Sequence, residues 1–126
     1  MVVFKKSSNL IFLVLLAFAV FVSSCARTQK LVEQGRYDEA IELATKKLSG
    51  KKRKKVKHVK ALEEAFAKAT QQDMQRIAKL EDRPGSEVRI VNVYRNIRKR
   101  QESIVPLLPL LSVKGYQAEF QFVKVD

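Results

Sequence analysis

The chain holds one cysteine, one histidine, three prolines and four glycines in 126 residues. The single cysteine, Cys25, closes no internal disulfide, and no second Cys or His cluster offers metal-ligand spacing. No Gly-rich phosphate loop and no nucleophile motif is present. His58 lies in a lysine run without an Asp, Ser or Cys partner at a legible spacing, so it reads as a surface residue rather than a base. These absences leave no sequence signature of an enzyme, a cofactor site or a metal site. Acidic residues are also scarce, with 13 Asp and Glu against 25 Lys and Arg and a formal charge of +12. Such a balance favours polyanionic or membrane-surface partners and is silent on fold.

What is present starts at the N-terminus. Lys5 and Lys6 precede the polar Ser7-Ser8-Asn9, and an uninterrupted apolar run follows from Leu10 to Val22. This is the charged n-region and apolar h-region of a secretory signal peptide. As a helix rising about 1.5 Å per residue, the run reaches roughly 20 Å. The hydrocarbon core of a bilayer is about 30 Å thick, so a leader fits better than a permanent span.

The order Val22-Ser23-Ser24-Cys25 resembles the lipobox of bacterial lipoproteins: an aliphatic residue, two small ones, then the lipidated cysteine. The resemblance implies cleavage after Ser24, a diacylglycerol on the Cys25 sulfur and acylation of the new amine. Several acyl chains on one residue meet the requirement for stable anchoring. By analogy with sorted lipoproteins, Ala26 rather than Asp after the cysteine implies the outer membrane, and the absence of an acidic tract after Cys25 implies its periplasmic face. The expected organisation is a signal peptide over 1–24, a helical domain over 25–105, and a Pro-containing connector with a β-strand over 106–126, read as the start of a further region. Loss of the leader removes Lys5 and Lys6 and lowers the formal charge to +10, on a length sufficient for one small domain.

Periodicity gives three helices. After Gly35, which suits a left-handed turn, Tyr37, Ala40, Ile41, Ala44 and Leu48 form an amphipathic stripe that ends at Ser49-Gly50. A second helix runs from about Val56 to Leu80, with Val59, Leu62, Phe66, Ala69, Ile77 and Leu80 on one side. Asp73 falls within that stripe, where a carboxylate pairs with a neighbouring Arg or Lys. Pro84-Gly85 breaks the chain, and Ser86 suits an N-cap. The third helix sets Ile90, Val93, Tyr94, Ile97, Gln101 and Ile104 against a basic face of Arg89, Arg95, Lys99 and Arg100. Pro106 and Pro109 end it. In the last stretch Tyr116, Ala118, Phe120 and Phe122 alternate with Gln117, Glu119 and Gln121, the pattern of a strand with one apolar face. No second strand pattern exists upstream, so its partner strands are expected outside this sequence.

The segment Gly35–Leu48 resembles the second half of a tetratricopeptide repeat. Gly35, Tyr37, Ala40, Ile41, Ala44 and Leu48 stand where that family places its turn glycine, aromatic, small contact residues and closing apolar residue. The fold class expected is mainly α, built of tetratricopeptide-like hairpins, and the resemblance implies a partner-binding scaffold without chemistry. The remaining feature is the basic run Lys51, Lys52, Arg53, Lys54, Lys55, Lys57 and Lys60, with no acid between Glu42 and Glu63. Cations at a helix N-terminus oppose the macrodipole unless an anion sits there. Two functions follow: a lipid-anchored scaffold for a protein partner in the envelope, or a polyanion- or anionic-lipid-binding protein acting through Lys51–Lys60. An exported chain meets little nucleic acid, so none is expected as a partner.

Overall fold

A computed structural model describes residues 9–16 and 27–125. Residues 9–16 are helical, and their apolar side chains from Leu10 to Leu16 are all more than half exposed. Helical residues 27–33 open the folded array. They end in a Schellman motif, in which the Arg36 N–H donates to Leu31 O (2.9 Å) and the Gly35 N–H to Val32 O (3.1 Å). The motif needs a left-handed residue, and Gly35 supplies it at φ 76°.

The chain then forms α1 (Tyr37–Leu48), α2 (Val56–Glu81) and α3 (Glu87–Ile104), followed by a 3₁₀ turn over Val105–Leu107. α1 carries Asp38 and Glu39 in its first turn and Lys46 and Lys47 in its last, both favourable to the helix dipole. Ala40 and Ala44 are wholly buried, and their small side chains let α1 lie close against α2. The protein is thus mainly helical, as its periodicity predicts.

Two groups of buried side chains hold the helices. In the larger, Ile41 and Leu48 of α1 meet Val59, Leu62 and Phe66 of α2, with Leu31 and Val32 from the first segment. Ile104, Leu107, Leu110 and Ala118 complete it, so the chain beyond α3 belongs to the same folded unit. The smaller group joins Ile77 and Leu80 of α2 to Val93 and Ile97 of α3.

Three local expectations need correction. No strand forms among the described residues, and the only ladder contact is an isolated antiparallel bridge between Leu111 and Gln117. Residues 116–125 instead run irregularly over α2 and α3, and helices rather than strands cover their apolar side. Ala118 is buried and Tyr116 and Phe120 are half-buried, Phe122 stays partly exposed with its ring 5.8 Å from that of Phe66, and Val123 and Val125 are half-buried next, so strict alternation is lost after Phe122. Helix side chains supply the hydrogen bonds that a neighbouring strand would have given. Gln101 donates through Nε2 to Val123 O (3.1 Å) and accepts from the Val123 N–H through Oε1 (2.7 Å). Glu63 accepts from the Glu119 N–H (2.7 Å) and the Tyr116 hydroxyl (2.5 Å).

Arg100 is the second correction. It lies inside, not on the basic face, because it is three residues from Ile97 and four from Ile104 and so shares their side of α3. Third, Ser86 holds the N-cap position of α3, but its hydroxyl makes no capping bond.

Candidate functional site: the basic end of the array

The loop between α1 and α2 and the first turn of α2 form one cationic end. Lys51, Lys52, Arg53, Lys55, Lys57 and Lys60 are exposed there and Lys54 is half-buried. α2 starts at an N-cap, Lys55, that makes no side-chain capping bond, and no acid stands in its first turn. The positive end of the helix dipole therefore adds to the lysines instead of being offset. His58 records the resulting field. Its pKa is lowered first by burial and then by Lys47, Lys55, Lys51 and Lys57, which keeps the imidazole neutral near pH 7.

The structure redistributes the residues read from sequence. Lys47, at the last turn of α1, joins the cluster acting on His58 and was not assigned to it by the sequence run. Its place one turn before the loop was the available signal. Lys60 is diverted, its ammonium lying 4.9 Å from the centre of the Tyr116 ring in a cation–π contact. Lys54 is tied through its backbone, its carbonyl accepting from the Val113 N–H (3.0 Å). The hydrogen bond from Tyr116 to Glu63 raises the Tyr116 pKa, with burial adding to it. Gly35, Tyr37, Ala40, Ile41, Ala44 and Leu48 serve the turn and the packing of α1; Ala40, Ile41, Ala44 and Leu48 are buried and Tyr37 is half-buried. Cys25 lies outside the described residues.

Among the described residues a buried charge network joins α1, α2 and α3. Arg100 donates from Nη2 to Asp73 Oδ2 and from Nε to Asp38 Oδ1, both at 2.8 Å. Asp73 finds the cationic partner expected of it, and Arg76 adds a longer contact at 3.6 Å. Burial acts to lower the Arg100 pKa, but the bonds to Asp38 and Asp73 outweigh it and hold the guanidinium above its ordinary range. Beside this network a groove of about 570 Å³ runs past Asp38, Thr45, Lys46, Lys99, Arg100 and Ser103. Its hydroxyls are committed to backbone: Thr45 Oγ1 donates to Ile41 O (2.6 Å) and Ser103 Oγ to Arg100 O (2.6 Å). Among the described residues no group of three His, Cys, Asp or Glu side chains could hold a metal ion. None of the described helices is long and apolar enough to cross a membrane.

No family model matches the chain, and neither a curated protein nor a solved structure matches it.

Proposed function

We propose that the chain is a lipid-anchored bacterial envelope protein, processed after Ser24, held to the membrane through Cys25 and acting as a non-catalytic helical scaffold for a protein partner. One observation carries this reading. The longest apolar run in the sequence contributes nothing to either core where it is described, its side chains from Leu10 to Leu16 being 52–67% exposed. The larger core is assembled from side chains of Leu31 onward, without Leu10–Leu16. An apolar segment that no part of the domain covers finds its burial in a membrane, as a leader does.

The scaffold half of the proposal rests on α1 and the turn before it. Gly35 in a left-handed turn, half-buried Tyr37 and the buried Ala40 and Ala44 occupy roles like those of a tetratricopeptide repeat. The periplasmic face of the outer membrane is the proposed location, from Ala26 and the absence of an acidic tract after Cys25. A second reading, binding of polyanions or an anionic lipid surface, is favoured by the uncapped, acid-free N-terminus of α2 among its lysines.

Intact-mass measurement of the membrane-extracted protein tests the anchor. The expected species begins at Cys25 and carries the added mass of acyl chains. A mature chain beginning elsewhere, or an unmodified Cys25 thiol, refutes it.

A further inference from the structure

Within residues 27–125 the two longest stretches without an acidic residue are 43–62, which holds the basic run, and 103–118, which holds the connector after α3. The fold joins them. The Val113 N–H bonds to Lys54 O at 3.0 Å, and the Tyr116 ring lies under the Lys60 ammonium. Between these two tethers the chain makes a tight loop. Ser112 and Tyr116 close it, with Ser112 N–H to Tyr116 O at 2.7 Å and Tyr116 N–H to Ser112 Oγ at 3.0 Å. The Gly115 N–H donates to Ser112 O, and Gly115 takes φ 84°. The bridge from Leu111 to Gln117 and the bond from Ala118 N–H to Leu110 O fasten its base to the larger core.

This fastened loop holds aliphatic side chains out in solvent. Leu111 is 52% exposed and Val113 55%, with exposed Lys114 beside them. Single exposed aliphatics are ordinary. Here, of the eight large hydrophobics exposed within residues 27–125, four (Val105, Leu108, Leu111 and Val113) fall in one stretch of nine residues, and that stretch ends against the basic loop. Aliphatic side chains beside a cluster of cations, with the neighbouring Glu63 carboxylate turned to the Tyr116 hydroxyl and the Glu119 N–H, match the layered chemistry of an anionic bilayer surface, with phosphates outside and acyl chains beneath.

We propose that the loop around Leu111 and Val113 is a membrane wedge, inserted beneath the headgroups of an anionic bilayer while Lys51, Lys52, Arg53, Lys55, Lys57 and Lys114 meet the phosphates. The inference rests on the lipid-anchor reading and adds an orientation to it: the basic end lies on the membrane, and the end bearing Pro84-Gly85 points away.

The chain contains no tryptophan, so Val113→Trp places a single reporter at the tip. The full-length acylated protein carrying it is reconstituted into vesicles of phosphatidylcholine alone or mixed with phosphatidylglycerol. Co-flotation with both vesicle types reports the anchor. Emission of the introduced indole, and its quenching by brominated acyl chains, report the wedge whether or not the chain floats on neutral vesicles. The expected result is a blue shift and quenching on the anionic vesicles only. Both disappear at high salt, or when Lys51, Lys52, Arg53 and Lys55 become Gln, while flotation persists. A Val88→Trp reporter on α3 stays water-like throughout. Water-like, unquenched emission from the Val113→Trp protein on anionic vesicles overturns the wedge, and so does an equal shift on neutral vesicles. Failure to float on neutral vesicles counts against the anchor instead.

Discussion

Removing the Asp73 carboxylate tests whether the buried pair, rather than apolar packing alone, registers α2 against α3. Asp73 and Arg100 are 5% and 7% exposed, and their contact is a direct 2.8 Å bond. Breaking such a pair by deleting one partner costs about 3–5 kcal/mol, because the survivor stays buried without compensation. Arg100 keeps its second carboxylate, Asp38, when Asp73 is lost, which places Asp73→Ala near the low end, at ~3 kcal/mol. The Asp38 side chain is 73% exposed, so solvent screens its contribution and Asp38→Ala costs under about 1 kcal/mol. With an unfolding entropy of about 2.1 cal/mol/K per residue over roughly 100 residues, a ~3 kcal/mol loss lowers the melting temperature by about 15 °C. The assay is urea and thermal unfolding followed by circular dichroism at the helix band. The double change Asp73→Leu with Arg100→Met serves as the control, expected to be neutral or stabilising because it removes both desolvated charges together. Equal small losses for Asp73→Ala and Asp38→Ala would show that the pair carries no such load. A double variant as unstable as Asp73→Ala would show that the site itself tolerates no apolar filling.

Gln101→Leu deletes both hydrogen bonds to Val123 and is expected to cost about 1–3 kcal/mol, with loss of amide-exchange protection at Val123 while Glu119 stays protected by Glu63. Gly115→Ala forces a side chain into a left-handed conformation with no neighbouring atom to clash against, so the cost is conformational, about 1–2 kcal/mol by denaturant titration. For His58, whose folded pKa is depressed below the unfolded value of about 6.5, the favourable neutral form is fully present above that pH. Stability falls as pH drops through the lowered folded value, and His58→Gln is expected to flatten that part of a pH–stability curve. Phe66→Ala empties the centre of the larger core, where Phe120 packs edge-on at 5.2 Å, and is expected to cost about 3–5 kcal/mol by urea unfolding.

The helices were legible because amphipathic periodicity is a local signal. The stripes over Tyr37–Leu48 and Val56–Glu81 are the faces that the structure buries, and Gly35 and Gly50 sit in the left-handed turns that end their segments. Arg100 was misplaced because a guanidinium on an apolar face looks like a solvated charge until Asp73, 27 residues away, is known to meet it. The alternation after Gly115 was a true sign of irregular chain lying against an apolar surface, but periodicity does not say whether that surface is a sheet or a helix pair. Gln101 and Glu63, which satisfy the tail, look like ordinary polar residues in their helices. The basic run was plain in the sequence. Its neighbour Val113 was not, since the hydrogen bond to Lys54 spans 59 positions and nothing local announces it.

The ion pair also divides the molecule. Asp73 stands on α2 between Ala69 of the larger core and Ile77 of the smaller, and Arg100 stands on α3 between Ile97 of the smaller and Ile104 of the larger, the reverse order along the chain. The smaller group, with four buried apolar residues, can therefore open without disturbing the larger. Hydrogen exchange should then resolve two cooperative units along the single uninterrupted α2. Amides from about Ile77 onward and in the first turns of α3 would exchange through a low-energy opening, and those around Leu62 and Phe66 only through global unfolding. Proteolytic nicking near Pro84-Gly85 would follow the first of these events and leave the end that carries the basic loop folded.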